Sequence, residues 1–210
     1  MGVIDIVAIS SSIGRKNDNR FQTLAEQYII GDTWPFHLET KLAEAVISLL
    51  TQIGKKLDIV AINTGPGSYT SLRSGLAFLK GWYLSERART GKEPFVIVGI
   101  CGLVAMQAQA LGQKVLQEER NSSGIGGQKR YWQLNESTKH PELIEKSATV
   151  PTESKLEPEN VVIRTLPKQG SYVNIGKEEH RMGALVAREG IKSYTKRAQS
   201  NITTLMPIYE

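Results

Sequence analysis

The stretch NTGPGSYTSLRSG, residues 63–75, decides how this chain is read. The run LDIVAIN (57–63) leads into it and is nearly all apolar, as a strand covered on both faces should be. Behind the Gly65-Pro66-Gly67 bend an apolar period starts near Ser68 and continues to about Arg87. Strand, glycine bend, helix is the outline of a phosphate cradle, but the details differ. A P-loop needs Gly, four residues, then Gly-Lys-Ser/Thr, so that backbone N–H groups and the lysine hold the phosphates. No Gly-Lys pair follows Gly67, and Lys80-Gly81 stands in the reverse order about three turns into the helix. The dinucleotide fingerprint fails as well. Thr70 occupies the place of its third glycine, and Pro66 removes an N–H from the bend itself.

The helix after the bend is more informative. Leu72, Leu76, Leu79 and Tyr83 recur at i, i+4, i+7 and i+11, a stripe that must face a sheet. On another side lie Ser71, Ser74, Gly75, Phe78 and Trp82, small residues followed by two large apolar ones. Two readings of that side stand open: close packing within one lobe, or a face against another subunit. Gly75 and Gly81 each cost about 1 kcal/mol relative to alanine in a helix. Ser68 suits the N-cap, its hydroxyl accepting from first-turn amides. Arg73 opposes the positive end of the helix dipole, a penalty of about 0.3–1 kcal/mol, so it is expected to have an acceptor.

Outward from this unit the first half alternates strand and helix signals. IDIVAIS (4–10) reads as a strand, and LETKLAEAVISLLTQIG (38–54) as a helix ended by Gly54. FVIVGI (95–100) reads as a buried strand after the turn-forming TGKEP, and GLVAMQAQALG (102–112) as a helix. This order predicts an α/β layer with a mostly parallel sheet. Between Ser10 and His37 an antiparallel edge is expected. The second half is less regular: NSSGIGG (121–127) a loop, YWQL (131–134), VVIRTL (161–166) and SYVNIG (171–176) strands, KEEHRMGALVAREG (177–190) a helix ended by Gly190. The polar stretch 135–160 carries few apolar anchors. A first lobe over 1–112 and a smaller, divergent second lobe over 113–210 fit this pattern.

Composition sets the outer limits. The chain has 210 residues, 40% hydrophobic and 22% charged, the balance of a soluble globular protein. No apolar run reaches the roughly 18 residues of a membrane span, and the N-terminus reads as a strand and not a secretory signal. The single cysteine, Cys101, excludes an intramolecular disulfide and a cysteine-based zinc cluster. A cytoplasmic, metal-free protein is expected. The net charge of +5 is thinly spread, without the basic stripe of a dedicated nucleic-acid domain. QKRYWQ (128–133) and YTKRAQ (194–199) read as solvated surface charge, with phosphate contact as the alternative. His37, His140 and His180 sit far apart, no GxSxG elbow occurs, and Cys101 reads as an inert packed thiol. No acid–base pair emerges, so no catalytic residue and no metal site is assigned.

With those residues read, NTGPGSYTSLRSGLAFLKGW closely resembles the signature of the TsaB (YeaZ) family, which pairs with TsaD in making threonylcarbamoyl-adenosine on tRNA. The family pattern is Gly-Pro-Gly-Ser-Phe/Tyr-Thr-Gly-Leu/Val-Arg-x-Gly. Gly65, Pro66, Gly67, Ser68, Tyr69, Thr70, Leu72, Arg73 and Gly75 match it in register. IDIVAIS resembles the family's first strand, His37 with LETKL its His-Ser/Thr-Glu/Gln helix, FVIVGICGLVAMQAQA its path into the second lobe, and MPIYE its Pro-Leu-Tyr-Leu ending. Three departures stand out. Ser10 ends a strand that in the family ends Ile-Asp-Thr, Ser71 replaces a glycine, and ERNSSGIGGQKRYW (119–132) stands where an Asp-Ala-Arg-Arg segment belongs.

The resemblance implies an actin-like (ribonuclease H-like) two-lobed α/β fold, with mixed sheets and flanking helices. It implies a non-catalytic subunit, TsaD holding the metal and transferring the threonylcarbamoyl group to adenosine 37 of tRNA. The implied partner interface is His37, Tyr69, Ser71, Arg73, Ser74, Gly75, Phe78 and Trp82, with Gly65, Pro66, Gly67 and Ser68 as the structural bend. No cofactor of its own is expected, ATP or ADP only at an interface shared with TsaD. A TsaE-like ATPase would join the complex, tRNA would be met indirectly, and the chain alone could form a homodimer. The competing readings are a stand-alone nucleotide hydrolase or peptidase-like enzyme of the actin-like superfamily, and a homodimeric scaffold.

Overall fold

The computed structural model describes residues 3–4, 6–9, 34–35, 57–67, 69–110, 115–120, 129–135, 137–138, 140–144, 164–165, 172–175, 178–196 and 200–208. The expected helix over 38–54, His37, Ser68 and the 121–127 loop lie outside them.

A three-stranded sheet is the frame. Strand β2 (Ile6–Ile9) pairs antiparallel with β4 (Ile59–Gly65), and β4 pairs parallel with β5 (Val96–Cys101). Every residue of β4 is buried, as its continuous apolar run requires. The alternation of side chains divides the sheet into two faces. Ile6, Val60, Ile62 and Ile97 face one core, and Val7, Ile9, Ile59, Ala61, Val98 and Ile100 the other. A short antiparallel pair joins β1 (Val3–Ile4) to β3 (Trp34–Pro35), while residues 20–30, the strand-like run on which the edge expected before His37 rests, lie outside the described residues.

The expected mostly parallel layer is corrected to a mixed one. The connection from β4 to β5 runs through the helix over Tyr69–Thr90, the crossover that makes neighbours parallel, while β2 pairs antiparallel with β4. The buried run of β2 looks the same in either direction, so its antiparallel course left no trace in the pattern.

Helix α1 (Tyr69–Thr90) covers the first face. It stops where Gly91 takes a φ of 66° and its N–H donates to the Arg87 carbonyl, a left-handed glycine cap. Leu72, Leu76, Leu79 and Tyr83 are all buried, as their spacing predicts, each contributing about 1.5–3 kcal/mol through apolar burial.

The other face carries α2 (Gly102–Gln107) and α3 (Met182–Thr195). Helix α2 is shorter than the sequence predicts. Its apolar period reads on past the α-helical part because Ala110, in the following turn, is buried too. Two expectations for α3 are corrected. Residues Glu178–Arg181 form strand β11, antiparallel to β10 (Tyr172–Ile175), and the helix begins only at Met182. Cross-strand pairing thus outweighs the weak helical preference of a short charged run. Gly190 also lies inside the helix instead of ending it. A Cβ there would sit 2.7 Å from the Ala61 side chain, so this glycine serves close helix-to-strand approach.

A second antiparallel sheet joins β6 (Gln117–Arg120), β7 (Lys129–Leu134) and β8 (Pro141–Ile144). Trp132 is buried and anchors this sheet in the α3 core. The polar stretch after residue 134 therefore holds a hairpin. The Asn135 carboxamide oxygen accepts from the amides of Ser137 and Thr138, and its Nδ2 donates to Glu142. A third antiparallel sheet runs β9 (Arg164–Thr165), β10, β11. Among the described residues no helix is long and apolar enough to cross a membrane.

Candidate docking site

The glycine bend is built from inside. Asn63, 2% exposed near the end of β4, uses its side-chain oxygen to accept the Gly65 N–H at 2.9 Å. The Gly65–Pro66 peptide is cis, and the Pro66 carbonyl accepts from Gln117 Nε2 at 2.7 Å. Gly65 has a φ of 113°, a conformation that L side chains rarely adopt. A Cβ on it would stand 2.5 Å from the Ile208 carbonyl oxygen. Thus the Gly65 N–H and the Pro66 carbonyl are both engaged within the chain, and the glycine admits a neighbouring backbone.

That backbone belongs to residues 200–208, which run beside β5 on the side away from β4 and reach the bend at Ile208. The Ser200 amide donates to the Ile97 carbonyl at 3.1 Å, and Ser200 Oγ accepts the Gly99 N–H at 2.8 Å. The Ile208 amide donates to the Thr64 carbonyl at 2.6 Å. Between these anchors Leu205 is buried among Leu76, Leu79 and Tyr83 of α1, and Ile202 packs against the same core. Gly99 admits Leu205, since a Cβ there would collide with the leucine side chain. Gly65 thus makes room for the chain's own backbone at Ile208.

The predicted interface residues differ in their placement. Tyr69 and Ser71 lie in the first turn of α1, while His37 and Ser68 are outside the described residues. Gly75 is buried toward the chain's own interior. Ser74, Phe78 and Trp82 are half-buried on the shoulder of the helix. Phe78 and Trp82 pack against the α1 core, the Trp82 ring 4.7 Å from that of Phe95. Arg73 is exposed, and with Ala77, Gly81 and Leu84 it forms the outward stripe of α1. Leu84 is 54% exposed, and nothing lies within 4 Å of a Cβ built on Gly81. The outward face therefore turns one step from the small-residue side that the sequence singled out.

Elsewhere chemistry is sparse. His140 is exposed and His180 half-buried on β11, and no group of three potential metal ligands occurs among the described residues. Burial pushes the Cys101 thiol up from its usual value, against an opposing pull from the Val104 and Leu103 amides. The ion pairs Arg87–Glu93, Arg89–Glu86 and Lys192–Glu189 are surface pairs of little energetic weight. Lys196, in the second basic cluster, is exposed. Gln117 and residues 200–205 were not singled out from sequence, and MPIYE (206–210) was noted only for its resemblance to a family ending. Gln117 gives no signal in its polar run, 51 positions from Pro66. Asn63 could have been found as one of two polar side chains, with Thr64, that close an apolar strand.

With this geometry in view, the comparisons with known proteins fall into place. No family model matches the chain. No curated protein matches it either. Among solved structures, YeaZ from Pseudomonas aeruginosa aligns over 88% of this chain and 91% of its own, with a TM-score of 0.51. The chain has the fold of YeaZ. The two sequences are 14% identical, so what YeaZ shares with this chain is the fold alone.

Proposed function

We propose that this chain is the non-catalytic docking subunit of a tRNA threonylcarbamoylation pair and binds a TsaD-type subunit through α1. The observation that carries this reading is the outward stripe Arg73, Ala77, Gly81 and Leu84, on the helix that the glycine bend launches. Small side chains at 77 and 81 let a second helix approach, and Leu84 offers an apolar contact beside them. The YeaZ fold supports the assignment, as does the nine-position signature at the bend. An independent phosphate cradle is disfavoured, because the Gly65 N–H is bonded to Asn63 and Pro66 has none to offer. The chain then works in the cytoplasm without a nucleotide of its own, ATP or ADP entering only at an interface shared with the TsaD-type subunit. A TsaE-like ATPase completes the assembly, tRNA is held chiefly by the partner, and the same stripe supports a homodimer when the partner is absent.

The test is co-purification of this chain with a TsaD-type subunit, followed by threonylcarbamoylation of tRNA with and without the chain. Complex formation and chain-dependent modification are expected. Calorimetry of the isolated chain with ATP and magnesium should show no heat of binding. A strong heat, together with hydrolysis, would move the assignment to an enzyme.

A further inference from the structure

We propose that residues 200–208 are a latch, holding the glycine bend and α1 in the position for docking and able to open while the α3 side of the sheet stays folded. Both ends of the segment are fastened to backbone, at Ile97 and Gly99 through Ser200 and at Thr64 through Ile208. Its middle is fastened by Leu205, with Ile202 beside it, against the underside of α1. Two glycines, Gly65 and Gly99, lie where a Cβ would collide with this segment, so both strands it crosses leave it room. The segment contributes Leu205 and Ile202 to the α1 core, whereas the α3 core is made without it. The sheet therefore separates two packing units, and only one depends on the latch. Units divided in this way open independently, each with its own free energy. Because Leu205 touches the same core as Leu76 and Leu79, opening the latch loosens the helix whose outer stripe docks.

The affinity part of this inference rests on the docking reading above, and the exchange part does not. The experiment follows amide hydrogen exchange in the full chain and its affinity for the TsaD-type subunit. It compares Leu205→Ala, Ser200→Ala and, as a control on the opposite face, Ile191→Ala. Leu205→Ala should speed exchange at Gly65, Gly99 and along α1 by about tenfold or more, with the amides of α3 unchanged. Ser200→Ala should do the same to a smaller extent, which keeps the test alive if the leucine variant fails to fold. Affinity should fall about tenfold or more in Leu205→Ala, and stay as in the parent for Ile191→Ala. Uniform acceleration over both faces, acceleration confined to residues 200–208, or unchanged affinity in Leu205→Ala would overturn the latch. If the parent chain does not pair at all, the docking reading fails, and the exchange pattern alone decides for or against the latch.

Discussion

Single glycines in this chain do different jobs, and each can be tested by one methyl group. Gly65→Ala adds a Cβ at a φ of 113° and against the Ile208 carbonyl. It should destabilise the chain by at least about 1–2 kcal/mol in urea titration, with the 200–208 segment displaced. Gly81→Ala meets only open space and should stabilise the free chain by about 1 kcal/mol. The same change should weaken pairing, because the added methyl lies on the stripe proposed to dock. Cys101 offers a pH test. Burial raises its folded pKa, so the folded chain keeps a proton that the unfolded chain gives up. Stability is therefore full below the ordinary thiol value and declines as pH rises through the folded one, a decline that Cys101→Ala should remove. Native Cys101 should also label slowly with a thiol reagent and quickly after unfolding.

At the scale of elements, α1 and α3 show what local pattern can and cannot convey. The α1 stripe was legible because burial at i, i+4, i+7 and i+11 is a property of the helix alone. Gly190 misled for the opposite reason. A glycine at a helix end and one that admits a strand look alike until Ala61 is in place. Gly190→Ala should cost about 1–3 kcal/mol by overpacking, measured as a shift in the urea midpoint at constant slope. Strand β11 was hidden because KEEHR has no apolar alternation, and its pairing with β10 is a tertiary fact. The β7–β8 hairpin was hidden differently: its turn is made by Asn135 side-chain bonds, which a polarity reading takes for loop.

At the scale of the molecule, two cores share one sheet. The strands and bend of the candidate site could be read from sequence, since both lie within one contiguous stretch. What could not be read are the contacts that arrive from far along the chain, Gln117 on Pro66 and residues 200–208 on Gly65 and Gly99. The outward stripe at Arg73, Ala77, Gly81 and Leu84 is the claim on which the function stands. The direct measurement is the dissociation constant between this chain and a TsaD-type subunit, for the parent and for Ala77→Arg, with circular dichroism checking that the variant is folded. The account predicts that the parent pairs and that Ala77→Arg, folded as the parent is, loses tenfold or more in affinity, on the order of a central interface residue. A folded Ala77→Arg chain that pairs as tightly as the parent, or a parent that does not pair, would contradict it.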